Sequence, residues 1–367
     1  MELPTGGAHT RREILSQPRC WADCFQALDS QGQLRQVGKR WTPPPEWAFI
    51  GCGSSYYVAL GAAATWTALT GQPAQALPAS ELLLFPQLVL NEKRPCQPVL
   101  ISRSGHTSEV LKVAEILEAQ HNIRTLAISC ATHQPLEEIS TLTPYVLPAD
   151  EESNVMTRSF TSMLLGLQAL GAEQGKREEF TEGLRRLPGQ VEPLMEELSR
   201  RVQQFVETHA FADYVYLGQG PFFGIANEGM LKVKEMSCSY GQCFHTLEFR
   251  HGPKGIVGPE TLVTFFLSES GYEEEREVLE EVKGLGATTM VVANHADSAA
   301  RRGFPRRTQA GPSGIRTPGG VHHPRAAPGS VYRSEKGLQP RPAEQPLARR
   351  HLGRSRRVGR DGESRLT

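Results

Sequence analysis

Runs of adjacent apolar residues alternate along this chain with segments whose apolar side chains recur every three or four positions. The runs are WAFIGCG from Trp47, PVLISRSG from Pro98, TLAISC from Thr125, PYVLPA from Pro144, DYVYLGQG from Asp213, TLVTFFLS from Thr261 and TTMVVAN from Thr288. They are apolar on both faces rather than alternating, which predicts buried parallel strands. Between them, SEVLKVAEILEA after Thr107 sets Val110, Val113, Ile116 and Leu117 on one helical face. TRSFTSMLLGLQAL after Met156 predicts a more interior helix, and further helices are predicted for YYVALGAAATW from Tyr56, Glu192–His209, Gly224–Ser237 and Glu273–Leu285. This alternation predicts an α/β protein of open, doubly wound parallel sheets. Two blocks appear, roughly 40–175 and 205–295, joined by the long helix from Val191. The expected organisation is a helical lead-in over 1–40, a first domain over 41–190, a second over 191–295 that lacks its last elements, and a tail over 296–367.

The pattern stops after Ala293. RRGFPRRTQAGPSGIRTPGGVHHPRAAPGS has no hydrophobic period, so it buries too little apolar surface to offset chain entropy and is expected to be disordered. Arg301–Thr367 holds 16 Lys+Arg against 4 Asp+Glu, and the rest of the chain holds 24 against 36, so a net charge of zero hides two segments of opposite charge. A basic tail can bind nucleic acid, but a shift of reading frame near residues 295–305 accounts better for a tail so unlike the text before it. The coding DNA tests that expectation, and no nucleic-acid partner is expected. No run approaches a membrane span, and the first residues carry no apolar leader core, so a cytoplasmic protein without a membrane partner is expected. The seven cysteines are scattered, without zinc-site pairing, and read as reduced structural thiols.

Three segments carry candidate chemistry. Gly51-Cys52-Gly53-Ser54-Ser55 links a strand to a helix, a turn whose free N–H groups and helix dipole favour an anion; such turns are also ordinary α/β architecture. Ser102-Arg103-Ser104-Gly105-His106-Thr107 does the same one unit later, with three hydroxyls at a helix start, although Thr107 also suits a plain N-cap. In Asn227–Met236, Glu228, Lys232 and Glu235 fall on one helical face, and His251 follows at a Gly-Pro turn. Carboxylate, lysine and imidazole are the residue types that proton transfer between adjacent sugar carbons requires.

Taken in order, CGSSY, SRSGHTSE, ESNVMTRSFTSMLL, EGMLKVKE and EFRHGPK resemble the double sugar-isomerase-domain (SIS) proteins over about residues 10–295. That family includes the isomerase half of glutamine–fructose-6-phosphate aminotransferase and the amino-sugar-phosphate deaminase/isomerases. MTRSFTSM and FRHGPK look closer to the stand-alone deaminase/isomerase branch. The resemblance implies two flavodoxin-like domains. It also implies that Ser54, Ser55, Ser102, Arg103, Ser104 and Thr107 hold the sugar phosphate, with Arg103 where the aminotransferase has a neutral glutamine. Glu235 would move the proton between C1 and C2, Lys232 would lie near the substrate oxygens, and His251 would open the sugar ring, lent by the neighbouring subunit of a homodimer. Glu151 or Glu152 would contact the amino group. No metal or organic cofactor is implied. No nucleophilic cysteine follows Met1, so glutamine is not expected as the ammonia source, and the family's C-terminal segment is absent in this frame.

The leading expectation is therefore an amino-sugar-phosphate isomerase/deaminase. The alternatives are a non-catalytic sugar-phosphate sensor and an inactive truncated product. A sensor needs the hydroxyl cradle but not the base, so the presence of Glu235 and His251 favours the enzyme.

Overall fold

The computed structural model of the chain describes residues 7–30, 32, 34, 37, 46–90 and 95–294. The tail expected over 296–367 lies outside the described residues. Two helices open the chain, α1 (Ala8–Leu15) and α2 (Gln17–Ser30). A five-stranded parallel sheet follows, built from β1 (Glu46–Gly51), β2 (Ala74–Pro78), β3 (Cys96–Ile101), β4 (Leu126–Ser129) and β5 (Leu142–Val146) in the order β2-β1-β3-β4-β5. Its long helices are α3 (Ser54–Thr70), α4 (Ser108–Glu115) and α5 (Arg158–Gln174). Helices α6 (Glu178–Val191) and α7 (Met195–Thr208) lead to the second sheet. That sheet comprises β6 (Asp213–Gly218), β7 (Tyr240–His245), β8 (Thr261–Phe266) and β9 (Thr288–Val292), all parallel, in the order β7-β6-β8-β9, with α8 (Phe222–Ser237) and α9 (Tyr272–Gly284) between strands. The order repeats that of the first four strands of sheet 1, so the predicted pair of doubly wound α/β units is present, and the described part of the second is one strand shorter.

Burial explains why the strands read as apolar on both faces. Phe49, Val99, Ile101 and Ile128 pack with Phe25, Leu28, Trp66, Met163 and Leu170 on one side of sheet 1. Their chain neighbours Ala48, Ile50, Leu100 and Ala127 pack with Leu82, Val110, Val113 and Leu117 on the other. A third core joins Val215, Leu217, Val263 and Phe265 to Val278, Leu279 and Val282 of α9. Strand β9 borders sheet 2, and Val292 there is 52% exposed. Strands β2 and β7, which the apolar runs do not predict, are the outer strands beside β1 and β6. Their sequences, AQALP and YGQCFH, are mostly half-buried and so need no continuous apolar run.

The two units meet where α3 crosses α8. A Cβ on Gly224 would lie 2.5 Å from the Tyr57 carbonyl oxygen and 2.7 Å from the Gly61 nitrogen, so the backbones approach closely only because that position carries no side chain. This crossing sets the start of α3 beside the middle of α8.

Candidate active site at the junction of the two sheets

The turn after β1 is tight for a steric reason. A Cβ on Gly51 would sit 2.6 Å from the Ser55 backbone, and Gly53 takes a positive φ of 53° that an L side chain adopts poorly. The turn therefore delivers Ser54 and Ser55, both buried, to the first positions of α3. The Ser54 hydroxyl donates to Glu228 Oε1 at 2.9 Å and accepts from Lys232 Nζ at 3.3 Å, joining residues far apart in the chain. Lys232 Nζ also lies 3.0 Å from Glu228 Oε1 and 2.6 Å from Glu235 Oε2. One lysine thus holds two carboxylates of its own helix face against the first unit.

The two carboxylates differ in setting. Glu228 is enclosed, and its Oε2 has no hydrogen-bond partner among the described residues. Burial pushes its pKa up, opposed by the Lys232 ammonium and the Ser54 hydroxyl. The Glu235 side chain is 37% exposed and open to a ligand. Burial, then the charge of Glu228, pushes the nearby Tyr57 phenol up as well. The sequence pattern places Glu228 on this face but assigns it no role. The signal was its spacing of four from Lys232.

The turn after β3 forms a second group. Ser102 is buried, its hydroxyl shares a hydrogen bond with Thr107 Oγ1 at 2.9 Å, and it accepts the Gly105 N–H at 3.1 Å. Thr107 occupies the N-cap position of α4, yet its side chain makes no capping bond and turns to Ser102 instead. The Ser104 hydroxyl accepts the His106 N–H at 3.2 Å, leaving its own proton for a ligand. Arg103 reaches across to the loop before α5, donating to the carbonyl oxygens of Ser153 at 3.0 Å and Asn154 at 3.5 Å.

The remaining predicted residues stand apart from the Lys232 cluster. The Glu151 side chain is fully buried, accepting from the Thr157 N–H at 2.7 Å, the Thr157 hydroxyl at 2.5 Å and the Ser159 hydroxyl. Glu152 is exposed and pairs with Arg12 at 2.8 Å and His9 at 2.6 Å. Neither carboxylate contacts Lys232 or Glu235 among the described residues. His251 is exposed, and its side chain makes no contact with that cluster among the described residues. The segment carrying it is anchored through its neighbours: Lys254 and Arg250 both bind Glu281 of α9, the former at 2.9 Å, and Arg250 also lies 3.5 Å from Glu277.

Chemically, the junction offers hydroxyl donors and helix-start N–H groups suited to an anion, with an accessible carboxylate next to an ammonium. The SIS domain family model matches residues 46–172, the whole of the first sheet and most of α5. The crystal structure of a glucosamine-6-phosphate deaminase from Thermotoga maritima is 30% identical, covers 78% of this chain and 85% of that one, and superposes with a TM-score of 0.66. The chain belongs to the SIS-domain family. A glutamine–fructose-6-phosphate aminotransferase (isomerizing) of Xylella fastidiosa (strain Temecula1) is 29% identical over 77% of the SIS-domain chain and 49% of its own length. The SIS-domain chain thus spans about half of that relative. A tagatose-6-phosphate ketose/aldose isomerase from Escherichia coli, 22% identical with a TM-score of 0.73 over 84% of this chain and 88% of that one, shares the fold. Relatives of this SIS-domain protein thus include a glucosamine-6-phosphate deaminase and an isomerizing aminotransferase, and no helix among the described residues is long and apolar enough to cross a membrane.

Proposed function

We propose that this protein binds a hexosamine 6-phosphate and catalyses its aldose–ketose isomerisation with release of ammonia. The observation that carries the reading is the Ser54–Lys232–Glu235 link, which sets an accessible carboxylate beside the Gly51–Ser55 turn. The phosphate is held by Ser55, Ser102, Ser104 and Thr107, with Arg103 as the nearby cation and the starts of α3 and α4 supplying N–H groups. Glu235 takes the proton from C2 and returns it at C1, turning the 2-amino aldose into a ketose imine. Water hydrolyses that imine to the ketose phosphate and ammonia. Lys232 stabilises charge on the substrate oxygen as the proton moves. His251 opens the ring from a second copy of the chain, which makes the active form a homodimer. Glu151 and Glu152 already have partners within the chain, so they hold the loop before α5 rather than the amine.

The test is ammonia release from glucosamine 6-phosphate and galactosamine 6-phosphate, with Glu235→Gln as the control. Turnover that Glu235→Gln abolishes supports the enzyme and names the sugar. Binding by calorimetry without turnover in the native chain overturns the catalytic assignment and leaves a sugar-phosphate sensor. Neither binding nor turnover overturns both.

A further inference from the structure

Arg103 owes its place to a loop that a different element holds. The loop 150–157 is neither helix nor strand; Glu151 ties it to Thr157 within the loop, and its backbone is fixed at Ser153 from both sides. The Arg103 guanidinium donates to the Ser153 carbonyl oxygen at 3.0 Å and to that of Asn154 at 3.5 Å, and lies 4.0 Å from the buried Glu151 Oε2. The N–H of Ser153, and that of Glu152, point to Glu13 Oε1 of α1, at 3.3 Å and 2.6 Å. Glu13 is 1% exposed, a carboxylate carried by an N-terminal helix and turned into this loop. Burial raises its pKa, but the Ser153 hydroxyl and the two backbone N–H groups outweigh burial and hold it below the usual carboxylate range, so it is ionised at neutral pH. Thr10, one turn earlier, adds a hydroxyl bond to Ser153 Oγ at 2.9 Å.

We infer that Glu13 is a positioning residue for Arg103: it pins the backbone of Glu152 and Ser153, and the Ser153 carbonyl in turn aims the guanidinium beside the Ser102–Thr107 turn. This inference rests on the reading of Arg103 as the cation at the phosphate seat. A charged acceptor on two N–H groups forms the stronger class of hydrogen bond, and in a low-dielectric setting the aligned peptide polarises toward Arg103 as well. Loss of the charge leaves the loop with several backbone settings, and Arg103 with several aims.

The experiment compares the full-length protein with Glu13→Gln, Arg103→Gln and the double variant, using calorimetric binding of glucosamine 6-phosphate and peptide-mapped modification of Arg103 by phenylglyoxal. Glu13→Gln is expected to weaken binding about tenfold in the native background and less than about twofold when Arg103 is already glutamine, because residues acting through one another are non-additive. Arg103 modification is expected to speed up. Equal weakening in both backgrounds, or an unchanged rate of Arg103 modification, overturns the inference. If the native protein binds no sugar phosphate, the proposed function fails, while the Arg103 modification rate still decides whether Glu13 positions it. Should Glu13→Gln fail to fold, Thr10→Val removes only the hydroxyl bond to Ser153 and is expected to move the modification rate in the same direction.

Discussion

Replacing Lys232 by methionine removes the cation that pairs with both Glu228 and Glu235. Lys232 and Glu228 are 18% and 8% exposed at their side chains, with Nζ 3.0 Å from Glu228 Oε1. Breaking a buried pair from one side costs about 3–5 kcal/mol, because the other charge stays buried without compensation. Lys232 retains some contact with water, and methionine fills most of its volume without needing desolvation, so the loss belongs at the low end, about 3 kcal/mol at pH 8. The loss depends on pH. Burial already raises the Glu228 pKa in the native protein, and removing Lys232 raises it further. A carboxyl group whose folded pKa lies above its unfolded value contributes stability that is complete below the unfolded value and is lost as pH rises through the folded one. The variant should therefore approach the native protein at pH 5 and fall behind it at pH 8. Urea unfolding at the two pH values measures this. Adding Glu228→Gln should recover most of the loss at pH 8, since a neutral amide leaves no uncompensated charge. A loss below about 1 kcal/mol at pH 8, or an equal loss with and without Glu228→Gln, would refute the account of a buried, lysine-dependent carboxylate.

Two further perturbations follow from the same structure. Gly224→Ala puts a Cβ 2.5 Å from the Tyr57 carbonyl oxygen, a backbone atom that cannot step aside, so a loss of about 3 kcal/mol is expected; Gly61→Ala, on the partner helix, meets the flexible Leu164 Cδ1 at 3.3 Å, and its gain in helix propensity of about 1 kcal/mol offsets that contact. Denaturant midpoints that rank the two variants the other way count against the crossing geometry. Glu118 accepts from the N–H and hydroxyl groups of both Thr125 and Thr141, at 2.6–2.8 Å, which stitches the starts of β4 and β5. Burial raises the Glu118 pKa, but the Thr141 and Thr125 bonds outweigh it and lower the value. The stability it supplies is thus present above the unfolded carboxylate value and lost as pH falls through the lowered one. Glu118→Gln should flatten the acid limb of a thermal-melt profile, and an unchanged limb would show that the stitch contributes nothing.

Strands buried on both faces were legible because each residue along them is apolar: Phe49 and Ile50 are neighbours, enter opposite cores, and are both fully buried. Strands β2 and β7 were illegible for the converse reason, since among the described residues one flank of each has no neighbouring strand and Gln75, Gln242 and Gly241 are admitted there. The helix face of Glu228, Lys232 and Glu235 was legible from spacing alone. What joins it to Ser54 was not, because a contact between residues of different sheets leaves no periodic trace in either. The same holds for Glu13. Its segment reads as a helical lead-in, and nothing local marks a carboxylate whose partners are two backbone N–H groups in the loop before α5. Exposed Glu152 and buried Glu151 also cannot be told apart in the sequence; Thr157 and Ser159 decide which is enclosed.

The Ser54 hydroxyl has one proton, and that proton goes to Glu228 Oε1. It therefore does not also donate to a phosphate while this network stands, and the neutral donors for an anion are those after β3 and at Ser55. In the proposed reading, phosphate seat and proton-moving carboxylate belong to different units, and the α3–α8 crossing rather than either turn sets the distance between them. Proton transfer tolerates little error in that distance, since a shift of about 1 Å is enough to lower a rate about 100-fold. A side chain at Gly224 would lengthen the crossing by about this much if the helices simply parted, because the Cβ needs ordinary contact at about 3.4 Å or beyond where 2.5 Å is offered. Gly224→Ala should consequently lose ammonia release more steeply than it loses affinity for the sugar phosphate, because the seat lies within the first unit. A parallel loss of both would place the anion seat across the crossing as well, and would return Ser54 to the phosphate.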